Sequence, residues 1–256
     1  MSDGKQLDYE EESAGQQQIS RDAGSDLPLK EGAVFGIVGV VITYLTHLYL
    51  TVAQAGQTTP VSYTDDGSTV VTDLVSSWVA AGWSFLGTFG VSFEAGGERA
   101  ALGSAPNNVA ALANGSAPFV LADTILFIVT VGTLVGLGYG VARYTDAEGP
   151  VEAVKAGLTI VPPYIVFAAL AAFVMTHEYS DPQLISSVVN SVAPLTGDTF
   201  FNNSGEVVSN LTFKPSLNEA ILFAGIIFPA LFAVLGAIIA QGEDVIDTAV
   251  AKVNER

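Results

Sequence analysis

The chain has no cysteine, and only five lysines and two histidines in 256 residues. The first absence removes disulfides, thiolate metal sites and thiol nucleophiles together. Two histidines are too few for a multi-histidine metal centre, so neither a metal nor a cofactor is expected. Nine basic residues face 26 acidic ones, leaving a net charge of −17. No basic patch exists to meet phosphates, which excludes nucleic acid as a partner. Catalytic signatures are absent as well: there is no hydrolase elbow, phosphate loop, HExxH helix or dinucleotide fingerprint. The segment Arg143-Tyr-Thr-Asp-Ala-Glu-Gly149 is too short to hold a catalytic domain. A non-enzyme is expected, with no catalytic residue.

Charge is also missing from four long apolar stretches, Ala33–Ala53, Phe119–Ala142, Ala156–Thr176 and Ala220–Ala240. Between them they hold one Asp and one His. Each is long enough, at ~1.5 Å rise per residue, to span the ~30 Å hydrocarbon core of a bilayer. A soluble core helix of that length carries a polar face. Half of the residues are hydrophobic, and mean hydropathy is +0.47. The fold class expected is an all-α membrane protein with four transmembrane helices at 32–53, 119–142, 155–176 and 219–241. Two long loops, 54–118 and 177–218, and a short link, 143–154, join them. Residues 1–31 read as a disordered acidic tail, with Glu10, Glu11 and Glu12 among few apolar residues. Residues 242–256 form the other tail.

Lys and Arg near the spans set orientation. Lys5, Arg21, Lys30, Arg143, Lys155, Lys252 and Arg256 lie on one side, and only Arg99 and Lys214 in the long loops. This predicts cytoplasmic termini and link (N-in, C-in) and two extracellular loops, in a multi-pass protein of the cell membrane. The N-x-[ST] acceptors Asn114, Asn202 and Asn210 all fall in those loops and are glycosylation candidates. Ala53-Gln54-Ala55 has the look of a signal-peptidase site, but the acidic tail and the long apolar run predict an uncleaved anchor.

Acid-rich, lysine-poor solvent segments of this kind resemble those of proteins from salt-accumulating haloarchaea. At molar salt the Debye length falls to a few Å, and dense negative charge is screened. The resemblance is one of composition and implies an archaeal, halophilic membrane protein. An acidic mesophilic protein is the alternative.

Within the spans, Gly32 and Gly36 offer close helix approach in the first. Gly132, Gly136 and Gly140 recur at i, i+4, i+8 in the second, predicting a groove that seats a neighbouring helix, with Gly138 on another face. Pro162-Pro163 predicts a kink or unwinding in mid-span of the third helix, and Pro229 a kink in the fourth. Segment 74–93 carries Trp78, Trp83, Phe85, Phe89 and Phe93, with spacings that fit a helix face or a strand. It reads as an interfacial segment with aromatics at headgroup depth, the alternative being a small external core packed by its own rings.

Two short matches suggest a tandem repeat: Asp123-Thr-Ile-Leu-Phe127 with Glu219-Ala-Ile-Leu-Phe223, and Thr46-His-Leu-Tyr49 with Thr176-His-Glu-Tyr179. They put His47, Asp123, His177 and Glu219 near one depth, as a candidate proton or cation site. Against it, Ser216-Leu-Asn-Glu219 reads as a capping box, and Asp123 as an acid favoured by a helix N-terminus. The function expected is that of a non-catalytic accessory or structural membrane subunit. It would sit in a lipid bilayer with a membrane-protein partner or copies of itself. Transport of a small solute or ion is the alternative.

Overall fold

The structure is a computed structural model and describes residues 27–54, 61–67, 69–100, 119–191, 195 and 198–254. In chain order the elements are α1 (Leu29–Gln54), β1 (Val61–Asp65), β2 (Thr69–Asp73), α2 (Ser77–Thr88), β3 (Phe93–Ala95), β4 (Glu98–Ala100) and α3 (Phe119–Tyr144). There follow α4 (Pro150–Leu158), α5 (Val161–Val174), β5 (His177–Tyr179), α6 (Pro182–Ser191) and β6 (Leu211–Pro215). A last helical run joins α7 (Leu217–Glu219), a π-helical segment (Ala220–Ile227) and α8 (Phe228–Asn254). Four runs are long and apolar enough to cross a membrane: Leu29–Ala53, Thr124–Tyr144, Pro150–Val174 and Leu217–Gly242. The helix continues through Asn254, past the end expected near 241.

These four runs pack in a ring. α1 meets α3 and α5, α3 meets α8, and α8 with its π segment closes against α4 and α5. Their sidedness is the reverse of a soluble bundle. α8 buries Ala233, Ala237 and Ala240 and exposes Leu231, Leu235, Ile238 and Ile239. α1 buries Thr43, His47 and Thr51 and exposes Val34, Ile37, Val41, Ile42 and Leu45. In water this arrangement would leave the largest apolar side chains wet. In hydrocarbon they cost nothing, and small inward residues bring backbones close enough for van der Waals packing.

The prediction of an all-α protein is corrected by the segments between the spans. Among the described residues, β1 and β2 form a hairpin, and a second sheet runs in the order β4-β3-β6-β5. That sheet draws β3 and β4 from the first long loop and β5 and β6 from the second. Phe93, Glu94 and Ala95 pair antiparallel with Pro215, Lys214 and Phe213. Alternation explains the strands: in β6, Leu211, Phe213 and Pro215 face inward while Lys214 is exposed. The two loops are therefore one α/β cap at one end of the bundle. α6 closes its side, burying Leu184, Ile185, Val188 and Val189. Asp181 caps α6 by accepting from the Gln183 and Leu184 amides at 2.9 and 3.1 Å.

The aromatic segment forms the floor of this cap, and the interfacial reading gives way to the packed-core one. Trp83, Phe85, Phe89 and Phe93 are buried, while Trp78 alone stays 45% exposed. α2 is enclosed all round from Val79 to Leu86, as an apolar helix without a polar stripe must be. It ends at Gly90, whose φ of +76° suits a residue without Cβ. Trp83 stacks edge-on to Phe93 at 5.3 Å and donates Nε1–H to the Met175 carbonyl at 2.6 Å. Phe85 meets Phe167 of α5 at 5.0 Å. One continuous core thus runs from Tyr164 and Leu134 in the bundle to Phe213 and Tyr179 in the cap.

The prolines act, though not where a mid-span kink was expected. The third run breaks at Thr159–Ile160, between α4 and α5, toward the end opposite the cap. Pro162 and Pro163 fall in the first turn of α5, where no helical N–H donor is required of them. Ahead of Pro229 the helix widens to π geometry, with the Phe228 amide donating five residues back to Phe223.

Candidate functional site

The buried face of α1 is its most unusual surface. It repeats every three or four residues as Gly32, Gly36, Gly39, Thr43, His47 and Thr51, and polar groups meet it at nearly every turn. An added Cβ at Gly32 would strike the Thr159 side chain, and one at Gly36 the Ile160 carbonyl at 2.6 Å. The break between α4 and α5 thus rests on the two glycines that sequence had marked for close approach. At Gly39 the neighbours are the Tyr164 hydroxyl, at 2.5 Å from such a Cβ, and Leu137. Thr43 donates to the Gly39 carbonyl at 2.7 Å.

His47 lies at the centre of the cap-side half and is fully enclosed. Its Nδ1 shares a hydrogen bond of 2.9 Å with Ser84 Oγ on α2, and its Nε2 one of 3.2 Å with Thr130 Oγ1 on α3. Either hydroxyl can donate or accept, so a neutral imidazole is satisfied in either tautomer. Phe85 covers the ring edge-on at 5.7 Å. A serine hydroxyl at 2.9 Å from an imidazole has the spacing of an activated nucleophile. Here the second nitrogen is held by a hydroxyl rather than a carboxylate, and all three side chains are buried. The arrangement ties α1, α2 and α3 together, as polar side chains do between membrane helices.

The shared layer of His47, Asp123, His177 and Glu219 is not assembled as one site. No hydrogen bond or ion pair among the described residues joins His47, His177 or Glu219 to another of the three. The Asp123 side chain lies outside the described residues. His177 is on β5 and sits 3.1 Å from Asp73 Oδ1, at ion-pair distance but outside hydrogen-bond geometry. The two Thr-His-x-Tyr matches also differ in structure, the first helical and the second a strand. Among the described residues no cluster of three metal-ligating side chains occurs.

Glu219 replaces the expected capping box with a longer reach. Ser216 makes no side-chain cap. Instead Glu219 Oε2 accepts from the Ser92 amide at 2.8 Å and the Ser92 hydroxyl at 2.6 Å, and its Oε1 pairs with Arg99. The Ser216 amide donates to the Ser92 carbonyl at 2.9 Å. The residue clamps the start of the fourth span to the cap sheet. Farther out, the Tyr63 hydroxyl donates to Asp181 Oδ2 at 3.1 Å, and burial with that carboxylate beside it raises the phenol above its ordinary range.

The predicted glycine groove of α3 is also corrected. A Cβ at Gly132 or Gly136 would meet nothing within 4 Å, and one at Gly140 only the Phe35 ring at 3.0 Å. The close approach is at Gly138, directly against the Ala233 backbone of α8. Gly236 answers it from α8, against the backbone of Val135 and Tyr139. Of the sequons, Asn114 lies outside the described residues. Asn202 and Asn210 are exposed, and their side-chain amides donate to Glu206 at 3.0 Å and Glu178 at 2.5 Å.

Sequence reasoning missed Ser84, Thr130, Thr43, Thr51 and Tyr164. A signal was there for the two on α1: Thr43 and Thr51 stand four residues to either side of His47 in a largely apolar span. Ser84 and Thr130 carried none, since their convergence depends on how the loop folds back. No curated protein and no solved structure matches the chain. Residues 11–244 match the model of a family of unknown function, DUF7978, and the chain belongs to that family.

Proposed function

We propose that this protein is a non-catalytic, four-pass protein of the cell membrane that serves as an accessory or structural subunit through its cap and its helix packing. The observation that carries the reading is the cap itself. Both long loops share one sheet, and α2 anchors that sheet into the mouth of the bundle. A bundle lined by Ala and Gly and filled at one end by α2 leaves little room for a wide aqueous path. The cap is the part free to meet a membrane-protein partner or a second copy.

The cap faces outward and both termini face the cytoplasm, on the seven-to-two distribution of Lys and Arg. Exposed Asn202 and Asn210 are then available for glycosylation, as is Asn114 by sequence. The acidic, lysine-poor composition fits a halophilic, archaeal setting. There, thermal stability of the purified protein would rise between ~0.1 M and ~2 M KCl as charge repulsion is screened.

Two measurements test the proposal. Single cysteines at Ser13 and Ser204 are labelled in intact cells with an impermeant reagent. Labelling at 204 and not at 13 is expected, and the reverse pattern overturns the orientation. A photocrosslinking residue at exposed Val208 on the cap should yield a defined protein adduct in native membranes. Absence of any adduct, together with solute flux through proteoliposomes of the pure protein, would replace this reading with transport.

A further inference from the structure

A groove of about 370 Å³ opens on the outer face of the bundle, at the end away from the cap, between the start of α1 and the end of α3. Lys30, Glu31, Val34, Phe35 and Tyr144 line it. Lys30 and Glu31 stand in the first turn of α1, with Val34 and Phe35 one turn deeper. Phe35 leans over Gly140 of α3, where an added Cβ would stand 3.0 Å from its ring. The same ring meets that of Tyr144 at 5.9 Å. Lys30 is the second residue of the first membrane-length run, and Tyr144 is the last of the second. At that level a span leaves the hydrocarbon, and Lys and Tyr side chains reach the headgroups.

The groove therefore faces two solvents. Val34 and Phe35 give it apolar walls one turn below the surface, and Val34 is 61% exposed. At the mouth, Lys30 is exposed and forms no ion pair among the described residues. Water would satisfy the mouth and wet the walls, while a hydrocarbon chain would satisfy the walls and desolvate the ammonium. A phosphate carried on an acyl chain satisfies both. The Glu31 carboxylate accepts and does not donate, and it repels a second anion. The headgroup must then bring a hydroxyl or ammonium donor beside a single phosphate. We propose that this groove binds one phospholipid, with its phosphate on Lys30 Nζ, a headgroup donor on Glu31 and a chain along Val34 and Phe35. Its volume lies within the ~300–1,000 Å³ of small-molecule sites, and basic recesses at membrane level are known to take lipid phosphates. The inference rests on the four runs crossing a bilayer. It is indifferent to the direction of the cap, and its failure would leave the labelling and crosslinking tests of the cap untouched.

The full-length protein is purified in mild detergent, delipidated and titrated with phosphatidylglycerol, and native mass spectrometry counts the lipids held by the folded species. One lipid should bind more tightly than any later one. Lys30→Ala should weaken that first binding by about fivefold, the worth of one lysine at a headgroup. Val34→Trp fills the groove without touching its charge and should weaken it by about tenfold. Lys30→Arg should keep it, and so should Lys155→Ala, which removes a cation of α4 that does not line the groove. Neither diacylglycerol, which lacks the phosphate, nor glycerol 1-phosphate, which lacks the chains, should displace the bound lipid. The proposal is overturned if no first lipid is preferred, or if Lys30→Ala and Lys155→Ala weaken binding equally. It is overturned as well if Val34→Trp leaves binding unchanged, or if either competitor displaces the lipid.

Discussion

Replacing Gly138 by leucine should destabilise the bundle, and the same change at Gly136 should not. At Gly138 the first added atom would run into the carbonyl, carbon and Cα of Ala233. All three are backbone, so no rotamer change clears the space and α3 must move away from α8. Movement is blocked on two further sides. Gly236 of α8 is as close to Val135 and Tyr139, and a Cβ at Gly157 of α4 would stand 3.0 Å from the same Ala233 carbonyl. Overpacking of such a contact costs about 1–3 kcal/mol, and three helices sharing one contact point put the cost at the upper end. At Gly136 nothing lies within 4 Å of the added atom. There leucine gains about 0.5–1 kcal/mol of helix propensity and faces the solvent of the span.

The two variants should therefore differ by about 3–4 kcal/mol. For a chain of this size that separates their melting temperatures by roughly ten degrees. Both are read by heating purified protein in mild detergent and following the folded fraction by size-exclusion chromatography. Equal melting temperatures, or a lower one for Gly136→Leu, would refute the placement of α3 against α8.

The shared sheet predicts that Glu94→Cys and Lys214→Cys, cross-strand partners on β3 and β6, form a disulfide on oxidation in this cysteine-free chain. Failure to link the two loops in a protease-nicked, non-reducing gel would argue against one cap. Glu219→Ala leaves the Ser92 amide and hydroxyl without their acceptor and should cost about 2 kcal/mol, while Glu219→Gln should cost less. Arg99 adds little because its side chain is 69% exposed, so a large loss in Arg99→Ala would contradict this ranking. Trp83→Phe keeps a ring but loses the bond to the Met175 carbonyl and should cost about 1 kcal/mol by thermal unfolding; a silent substitution would count against that bond. Deleting Ile226 should convert the π segment to α-helix with the fold retained, whereas deleting Leu235 should unfold the bundle by turning Gly236 away from α3. Equal outcomes for the two deletions would speak against a surplus residue in the π segment.

The membrane-length helices were legible because long uncharged runs have few other uses. What lay between them was not, for reasons that particular residues make plain. Phe85, Phe89 and Phe93 fit a helical period and a strand alternation alike; Phe85 is helical and Phe93 is a strand residue paired with Pro215, so one segment holds both. Strands of three residues are too short for an alternation test to detect. The pairing of β3 with β6 joins residues more than a hundred positions apart along the chain, and no local pattern carries that information. The glycine error on α3 has another cause. Gly132, Gly136 and Gly140 form the longest small-residue stripe on the helix, but the contact is decided by which glycine faces α8: Gly138 meets the Ala233 backbone, and Gly236 meets the Val135 and Tyr139 backbones. Glu219 was placed correctly at a helix start and given the wrong donor, because the capping-box pattern names only local amides and the amide used belongs to Ser92.

The π segment follows from these constraints together. Above it, Glu219 and the Ser216 amide are both bonded to Ser92, so the start of the span is fixed to the cap sheet. Below it, Ala233 and Gly236 are locked against the backbones of α3 and α4, so the rotation of α8 about its axis is fixed as well. Pro229 stands between and supplies no amide, which an α-helical ladder would need for residue 225. Bonds that reach back five residues enclose one more residue than α-helical bonds do. A segment held at both ends, with its missing donor just beyond, fits a surplus residue into that wider turn. The small side chains of Ala224 and Gly225, against Ala168 and the Ile165 backbone, leave room for it. The cap thus sets the geometry of the fourth span as much as the bilayer does.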